Sequence, residues 1–349
     1  MSFDQFPLLA NLAIFAVSAG FVWAAGTRLT AYVDGIASLT GIGQAFAGML
    51  LLGGITSLPE IATATTASWT GNPSLAVSNL LGSAAANILL LAMADAIIGR
   101  DALTSVVAAP ATLFQGTLGM MLLGGVAVVV TIGDVAVLGV GVGSTLLMAG
   151  CVASLWLSSG YERRHVWTAV GKEQEKEEEG EEEGVEDEKP GQPLRSLVLK
   201  TVAAGATILV AGFFLSQTGD AIAAQTGLGT GLVGLVLVAF ATSLPELSSI
   251  TAALRLHRYE MAVGDLFGTN LFNIALLFIA DLAYGGGPVL AEGGRFEAVA
   301  ALLGLLLTGV FVLGLLERKD RTVLRMGYDS LAALAFYAAG LAVLYPLAP

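Results

Sequence analysis

Residues 54–60 read GITSLPE, and 186 positions later residues 240–246 read FATSLPE. The offset holds without a gap around both copies. Asp34 falls on Asp220, Gly41 on Gly227, Gly43 on Gly229 and Gly48 on Gly234. Further on, Gly82 falls on Gly268, Ser83 on Thr269, Asn87 on Asn273 and Asp95 on Asp281. A chain that repeats itself over such a length folds as two related halves, each built from the same supersecondary plan.

Those halves are too apolar for water. Hydrophobic residues fill 55% of the 349 positions and charged residues only 13%, against roughly a quarter charged in an ordinary soluble domain. Ten apolar runs are long enough to cross a hydrocarbon core as helices: 7–29, 42–69, 74–97, 110–131, 135–157, 196–217, 228–254, 260–283, 296–316 and 327–347. The expected class is therefore an all-α membrane protein. The first run lacks the preceding Lys or Arg of a signal peptide and has a counterpart in the second half, so it reads as a retained span. Pro110 suits a first helical turn, and Trp69, Trp156, Tyr284 and Tyr345 suit membrane interfaces.

Of the 16 Lys and Arg residues, 15 fall on one side if the N-terminus is extracytoplasmic, and only Arg295 falls on the other. Basic residues favour the cytoplasm, so both termini are expected outside. Twelve of the 28 acidic residues lie between Glu162 and Glu188; this charge block reads as a disordered cytoplasmic spacer. The expected organisation is an N-terminal repeat at 1–158, a linker at 159–195 and a C-terminal repeat at 196–349. Five spans precede the linker. That odd number turns the second half over and makes the pair an inverted-topology repeat, the architecture of secondary transporters.

Glu60 and Glu246 read as the only ionisable residues deep inside a span, and a carboxylate at that depth is functional by default. Thr56 and Ser57 share a helix face with Glu60, as Thr242 and Ser243 do with Glu246. Counting about 1.5 Å per residue from the turn near Asn72 brings Ser83 and Asn87 to the depth of Glu60 on the following helix. Thr269 and Asn273 follow Glu246 in the same way. Pro59 and Pro245 remove a helical hydrogen bond each and loosen nearby carbonyls, including those of Gly53 and Ala239. The donors are all oxygen, with no Cys or His for zinc or copper. Such a cage suits Ca2+ and Na+ better than Mg2+, and the same oxygens suit protons.

Other features carry less. Cys151 is alone and sits in an apolar run, where it packs. His165 and His257 fall at cytoplasmic helix ends. There is no basic stripe for nucleic acid, and no nucleophile–base arrangement or phosphate loop for an enzyme.

The pair TSLPE…GSAAAN and TSLPE…GTNLFN resembles the repeats of the sodium/calcium exchanger family within the cation/Ca2+ antiporters, of the prokaryotic type without a large regulatory domain. The resemblance implies a cation site of Glu60, Glu246, Thr56, Ser57, Ser83, Asn87, Thr242, Ser243, Thr269 and Asn273, with carbonyls from Gly53 and Ala239. It implies that spans one and six slide past a more fixed core. It implies exchange of Ca2+ for Na+ by alternating access in the cell membrane, with no cofactor and no obligate protein partner. Proton-driven Ca2+ exchange is the alternative, and a cation channel a more remote one. Asn273 stands where potassium-dependent relatives carry Asp. Gly264-Asp265 departs from the family's Gly-Asn, and no third carboxylate is expected at the site.

Overall fold

A computed structural model describes residues 3–40, 53–98, 110–161, 193–255, 259–317, 322–323 and 326–348. The charge block, both histidines and the first part of the second expected span lie outside the described residues. Among the described residues, eight helical stretches have the length and apolar composition to cross a membrane, while Val142–Ser158 is apolar but shorter.

The first half contains α1 (Leu8–Thr40), α2 (Gly53–Thr56), α3 (Leu58–Trp69), α4 (Pro73–Ile98) and α5 (Pro110–Ile132). A two-stranded hairpin, β1 (Ala136–Val137) and β2 (Val140–Gly141), leads into α6 (Val142–Tyr161). The second half contains α7 (Leu194–Thr226), α8 (Thr230–Leu232), a π-helical turn (Val233–Val238), α9 (Ala239–Thr242) and α10 (Leu244–Arg255). These are followed by α11 (Tyr259–Ala283), α12 (Arg295–Glu317), the hairpin β3 (Thr322–Val323) and β4 (Met326–Gly327), and α13 (Tyr328–Leu344).

Three boundaries differ markedly from the sequence expectation. α1 and α7 run for 33 residues each, well past the ends expected at 29 and 217. Hydropathy falls there, but no residue breaks the helix, so hydrogen bonding continues into polar sequence. α7 stops at Gly227, whose left-handed φ of 69° caps it. At about 1.5 Å per residue each helix is about 50 Å long, against a hydrocarbon core of about 30 Å. The span expected at 135–157 begins instead at Val142, because Leu138 and Gly139 turn with positive φ and form the hairpin.

Burial orders the helices from the centre outwards. The apolar stretch of α4 is 94% buried and that of α11 72%, whereas α1 and α7 reach only 28% and α13 17%. α4 and α11 pack against each other and against the broken helices. α1 and α7 lie along one another at the edge and expose Val17, Phe21, Val198 and Val210, side chains suited to lipid contact.

Glycine allows the long helices to approach closely. A Cβ on Gly26 of α1 would stand 2.6 Å from Pro245 Cα, and one on Gly212 of α7 would stand 3.0 Å from the Pro59 carbonyl oxygen. The two positions are again 186 apart. Each long helix thus passes behind the kink of the opposite half, and only a residue without a side chain fits.

The halves are also tied at their ends. Asp281 of α11 accepts hydrogen bonds from Gly141 N (2.6 Å), Ser144 Oγ (2.7 Å) and Val289 N (2.6 Å). Asp95 of α4 accepts from Gly327 N (2.6 Å) and Ser330 Oγ (2.8 Å). Gly141 and Ser144 precede Gly327 and Ser330 by the same offset, so each half's aspartate holds the hairpin of the other half. Both aspartates are buried, where a carboxylate is retained by the backbone and hydroxyl donors it satisfies.

Candidate cation site

The site forms where both TSLPE segments interrupt their helices. Pro59 and Pro245 have no N–H to give to the carbonyls of Ile55 and Ala241. Regular helix lapses for one residue just before each, at Ser57 (φ −72°, ψ 0°) and Ser243 (φ −83°, ψ 9°). The Gly53 carbonyl accepts from Ser57 N (3.2 Å) and Ser57 Oγ (2.6 Å). The Ala239 carbonyl accepts from Ser243 N (3.0 Å) and lies 3.1 Å from Thr242 Oγ1. The expected carbonyl donors are thus already engaged within their own turns.

Glu60 and Glu246 lie in the first turns of α3 and α10, and both are 0% exposed. Ser83 Oγ donates to Glu60 Oε1 over 3.2 Å. Glu60 Oε2 and both carboxylate oxygens of Glu246 make no hydrogen bond to the protein. The two glutamates lie within electrostatic reach of each other.

Hydroxyls bridge the halves in equivalent pairs. Ser83 and Thr242 share a hydrogen bond of 3.2 Å, and Thr56 and Thr269 share one of 3.4 Å. Each member of the first pair is 186 residues from a member of the second. Asn87 Nδ2 donates to Asn270 Oδ1 (2.9 Å), and Asn270 Nδ2 donates to the Ala84 carbonyl (3.3 Å). Neither polar atom of the Asn273 side chain has a hydrogen-bond partner. Thr56, Ser57, Ser83, Asn87, Thr242, Ser243, Thr269 and Asn273 are all at most 1% exposed, so these side chains are withdrawn from bulk water.

One expectation is overturned. Glu60 and Glu246 are not the only carboxylates at this depth: Asp265 is also 0% exposed, with Oδ1 unpartnered. It lies within electrostatic reach of Glu246, so a third carboxylate does accompany the pair. The reason is geometric. Asp265 is only six residues into α11, about 9 Å from its start, which by counting alone reads as near an interface. α10 and the kinked α2 fold over that end of the helix and bury it; a Cβ on Gly53 would stand 3.2 Å from the Asp265 carbonyl oxygen. Thr56 faces both Glu246 and Asp265, though without a hydrogen bond of ordinary geometry.

Sequence reasoning also passed over Asn79, Asn270, Thr63 and Ser249 as neighbours of the site. Asn79 Nδ2 donates to Thr63 Oγ1 (2.8 Å), while Thr242 Oγ1 lies 3.4 Å from Asn79 Oδ1. Thr63 and Ser249 stand 186 apart, as do Asn79 and Asp265, and that recurrence was the available signal.

Among the described residues no three His, Cys, Asp or Glu side chains converge as a metal cluster, and no Lys, Arg or His is buried. The arrangement is a mixed set of carboxylates and neutral oxygens, with negative charge that no buried basic side chain among the described residues offsets. Several kcal/mol oppose burying each such ionised group alone. Oxygen sets of this kind bind hard cations.

The sequence matches the model of the family described as sodium/calcium exchanger protein over residues 10–164 and 196–346. It is 27% identical over 320 residues to CaxA of Alkalimonas amylolytica, covering 90% of this chain and 93% of that one. It is 28% identical over 268 residues to the inner membrane protein YrbG of Escherichia coli (strain K12), covering 74% and 73%. The fold is similar to that of the sodium-calcium exchanger NCX_Mj soaked with 100 mM Na+ and 10 mM Sr2+, with a TM-score of 0.65 at 18% identity over 96% of this chain and 99% of that one. The same exchanger soaked with 10 mM Na+ and zero Ca2+ gives a TM-score of 0.65 over 97% and 100%. A multi-pass membrane antiporter and not an enzyme, this chain belongs to the sodium/calcium exchanger family.

Proposed function

We propose that the protein exchanges Ca2+ for Na+ by alternating access. Glu60 and Glu246 hold the divalent cation in common, and Thr56, Ser57, Ser83, Asn87, Thr242, Ser243, Thr269 and Asn273, with the Gly53 and Ala239 carbonyls, complete its surroundings. The carrying observation is the convergence of two fully buried glutamates with unsatisfied oxygens and no buried base among the described residues. Two carboxylates neutralise one Ca2+. Replacing it with Na+ on the same oxygens couples one movement to the other.

The ten-span, inverted organisation belongs to this reading. Residues 1–158 and 196–349 form its two five-helix halves and 159–195 its cytoplasmic linker, with both termini outside the cell membrane. Support comes from contacts that recur at the 186-residue offset, namely the hydroxyl pairs, the aspartate clamps and the two glycine–proline approaches. Two halves of equal build and opposite orientation interchange conformations, which opens the site to one face and then to the other. α1 and α7 are the moving elements, since they are the least embedded of the long helices that touch the kinks.

The test uses protein reconstituted in vesicles. Radiolabelled Ca2+ uptake should follow an outward Na+ gradient and vanish in Glu60→Gln. Uptake driven by a pH gradient without Na+ would replace Na+ with protons as the counter-ion. Full Na+-driven uptake in Glu60→Gln would end the reading.

A further inference from the structure

The two halves differ in charge at one central position. In the first half Asn79 donates to Thr63 Oγ1. In the second the equivalent pair is Asp265 and Ser249, and the direction reverses: Ser249 Oγ donates to Asp265 Oδ2. A carboxylate only accepts, so the hydroxyl must turn. The same packing is therefore achieved with an amide in one half and a charge in the other. The fold does not require the charge.

Asp265 is completely buried, and its Oδ1 makes no hydrogen bond to the protein. Thr56 and Glu246 face it. Ser249 Oγ lies 2.9 Å from the Glu246 carbonyl oxygen, which ties the Asp265 partner to the glutamate's own turn. No basic side chain is buried among the described residues to balance the carboxylate. An isolated ionised carboxylate in this setting costs several kcal/mol and persists where a cation or strong donors meet it.

We propose that Asp265 Oδ1, with the hydroxyl oxygens of Thr56 and Ser249, forms a second subsite that takes a monovalent metal cation beside the Glu60–Glu246 pair. The proposal rests on the reading that the pair holds a divalent cation. Three carboxylates carry three negative charges, and one divalent cation leaves one of them unbalanced. A single monovalent cation at Asp265 completes the balance, whereas a second divalent cation would overshoot it in a low-dielectric interior. The donors are hard oxygens, suited to Na+ or K+.

Equilibrium binding to the full chain in detergent, at one fixed pH, tests this with radiolabelled Na+ and, in separate arms, K+ and Ca2+. Asp265→Asn places in the second half the residue that the first half already carries at Asn79. It should lower saturating Na+ or K+ by about one ion per chain, while Ca2+ stays at one per chain with affinity reduced by about threefold through the lost charge. Ser249→Ala, a milder second variant, should weaken the monovalent ion by about three- to tenfold. Equal monovalent stoichiometry in the parent and Asp265→Asn would overturn the proposal, and would leave the carboxyl to a proton. So would loss of Ca2+ from Asp265→Asn to the extent seen in Glu246→Gln, which would make Asp265 a ligand of the divalent ion. A parent protein that binds no Ca2+ but still loses one Na+ on substitution would count against the function proposed above and for this subsite.

Discussion

Gly26 and Gly20 lie on the same helix, and adding one methyl group to each should have opposite outcomes. Gly20 has nothing within 4 Å of where a Cβ would stand, whereas at Gly26 the new carbon would lie 2.6 Å from Pro245 Cα, 2.8 Å from Pro245 Cβ and 3.0 Å from Ser248 Oγ. Carbon atoms rest about 3.5–4.0 Å apart, so Gly26→Ala demands about 1 Å of separation between α1 and α10. The obstacle is backbone and a proline ring, which cannot rotate away. Overpacking of this kind costs about 1–3 kcal/mol, partly offset by up to about 1 kcal/mol from replacing glycine within a helix. Gly20→Ala gains the second term without the first. In thermal unfolding of detergent-purified protein, Gly20→Ala should equal or exceed the parent and Gly26→Ala should fall below it. Because the contact joins a long helix to the kink that carries Glu246, uptake of Ca2+ into vesicles should fall by about tenfold in Gly26→Ala, the equivalent of about 1.4 kcal/mol, and be unchanged in Gly20→Ala. A Gly26→Ala protein as stable and as active as Gly20→Ala would refute the close approach and, with it, the coupling of α1 to the site.

Three further outcomes are expected. Asp281→Ala removes the acceptor of Gly141 N, Ser144 Oγ and Val289 N; Ser144 Oγ keeps the Gly141 carbonyl at 3.0 Å, so the two stranded backbone donors should destabilise the protein by about 2–6 kcal/mol at about 1–3 kcal/mol per group, read as a lowered unfolding temperature. Ser83→Ala removes the donor to Glu60 Oε1 and the bridge to Thr242; equilibrium Ca2+ binding should weaken by about tenfold, corresponding to roughly one charge-assisted hydrogen bond, with the unfolding temperature nearly unchanged. Gly212→Ala should reproduce the uptake defect of Gly26→Ala, since its Cβ would stand 2.7 Å from Ala62 Cβ and 3.0 Å from the Pro59 carbonyl oxygen; normal uptake would break the equivalence of the two long helices.

Much of the site was legible because its parts are local. Thr56, Ser57 and Glu60 lie within a turn of one another around Pro59, and the same letters return around Pro245. Depth along a helix follows from residue count, so Ser83 and Thr269 could be carried to the glutamates without coordinates. What escaped was set by other helices. The cover over Asp265 comes from α10 and the kinked α2, and no count along α11 contains it. Asp95 and Asp281 were visible as a repeated pair, but the hairpins they grip lie in the opposite half, well over a hundred residues away.

Hydropathy and repetition, both properties of the chain read in order, determined the membrane solvent, the doubled plan and the two kinked segments. They did so because the cost of apolar surface in water and the missing N–H of proline need no neighbour to act. Tertiary structure decided where α1 and α7 stop being useful as spans and become long struts, how each half's aspartate grips the other's hairpin, and that a third carboxylate joins the pair. Those outcomes depend on which surfaces meet, and burial, unlike hydropathy, is a property of the contact and not of the residue.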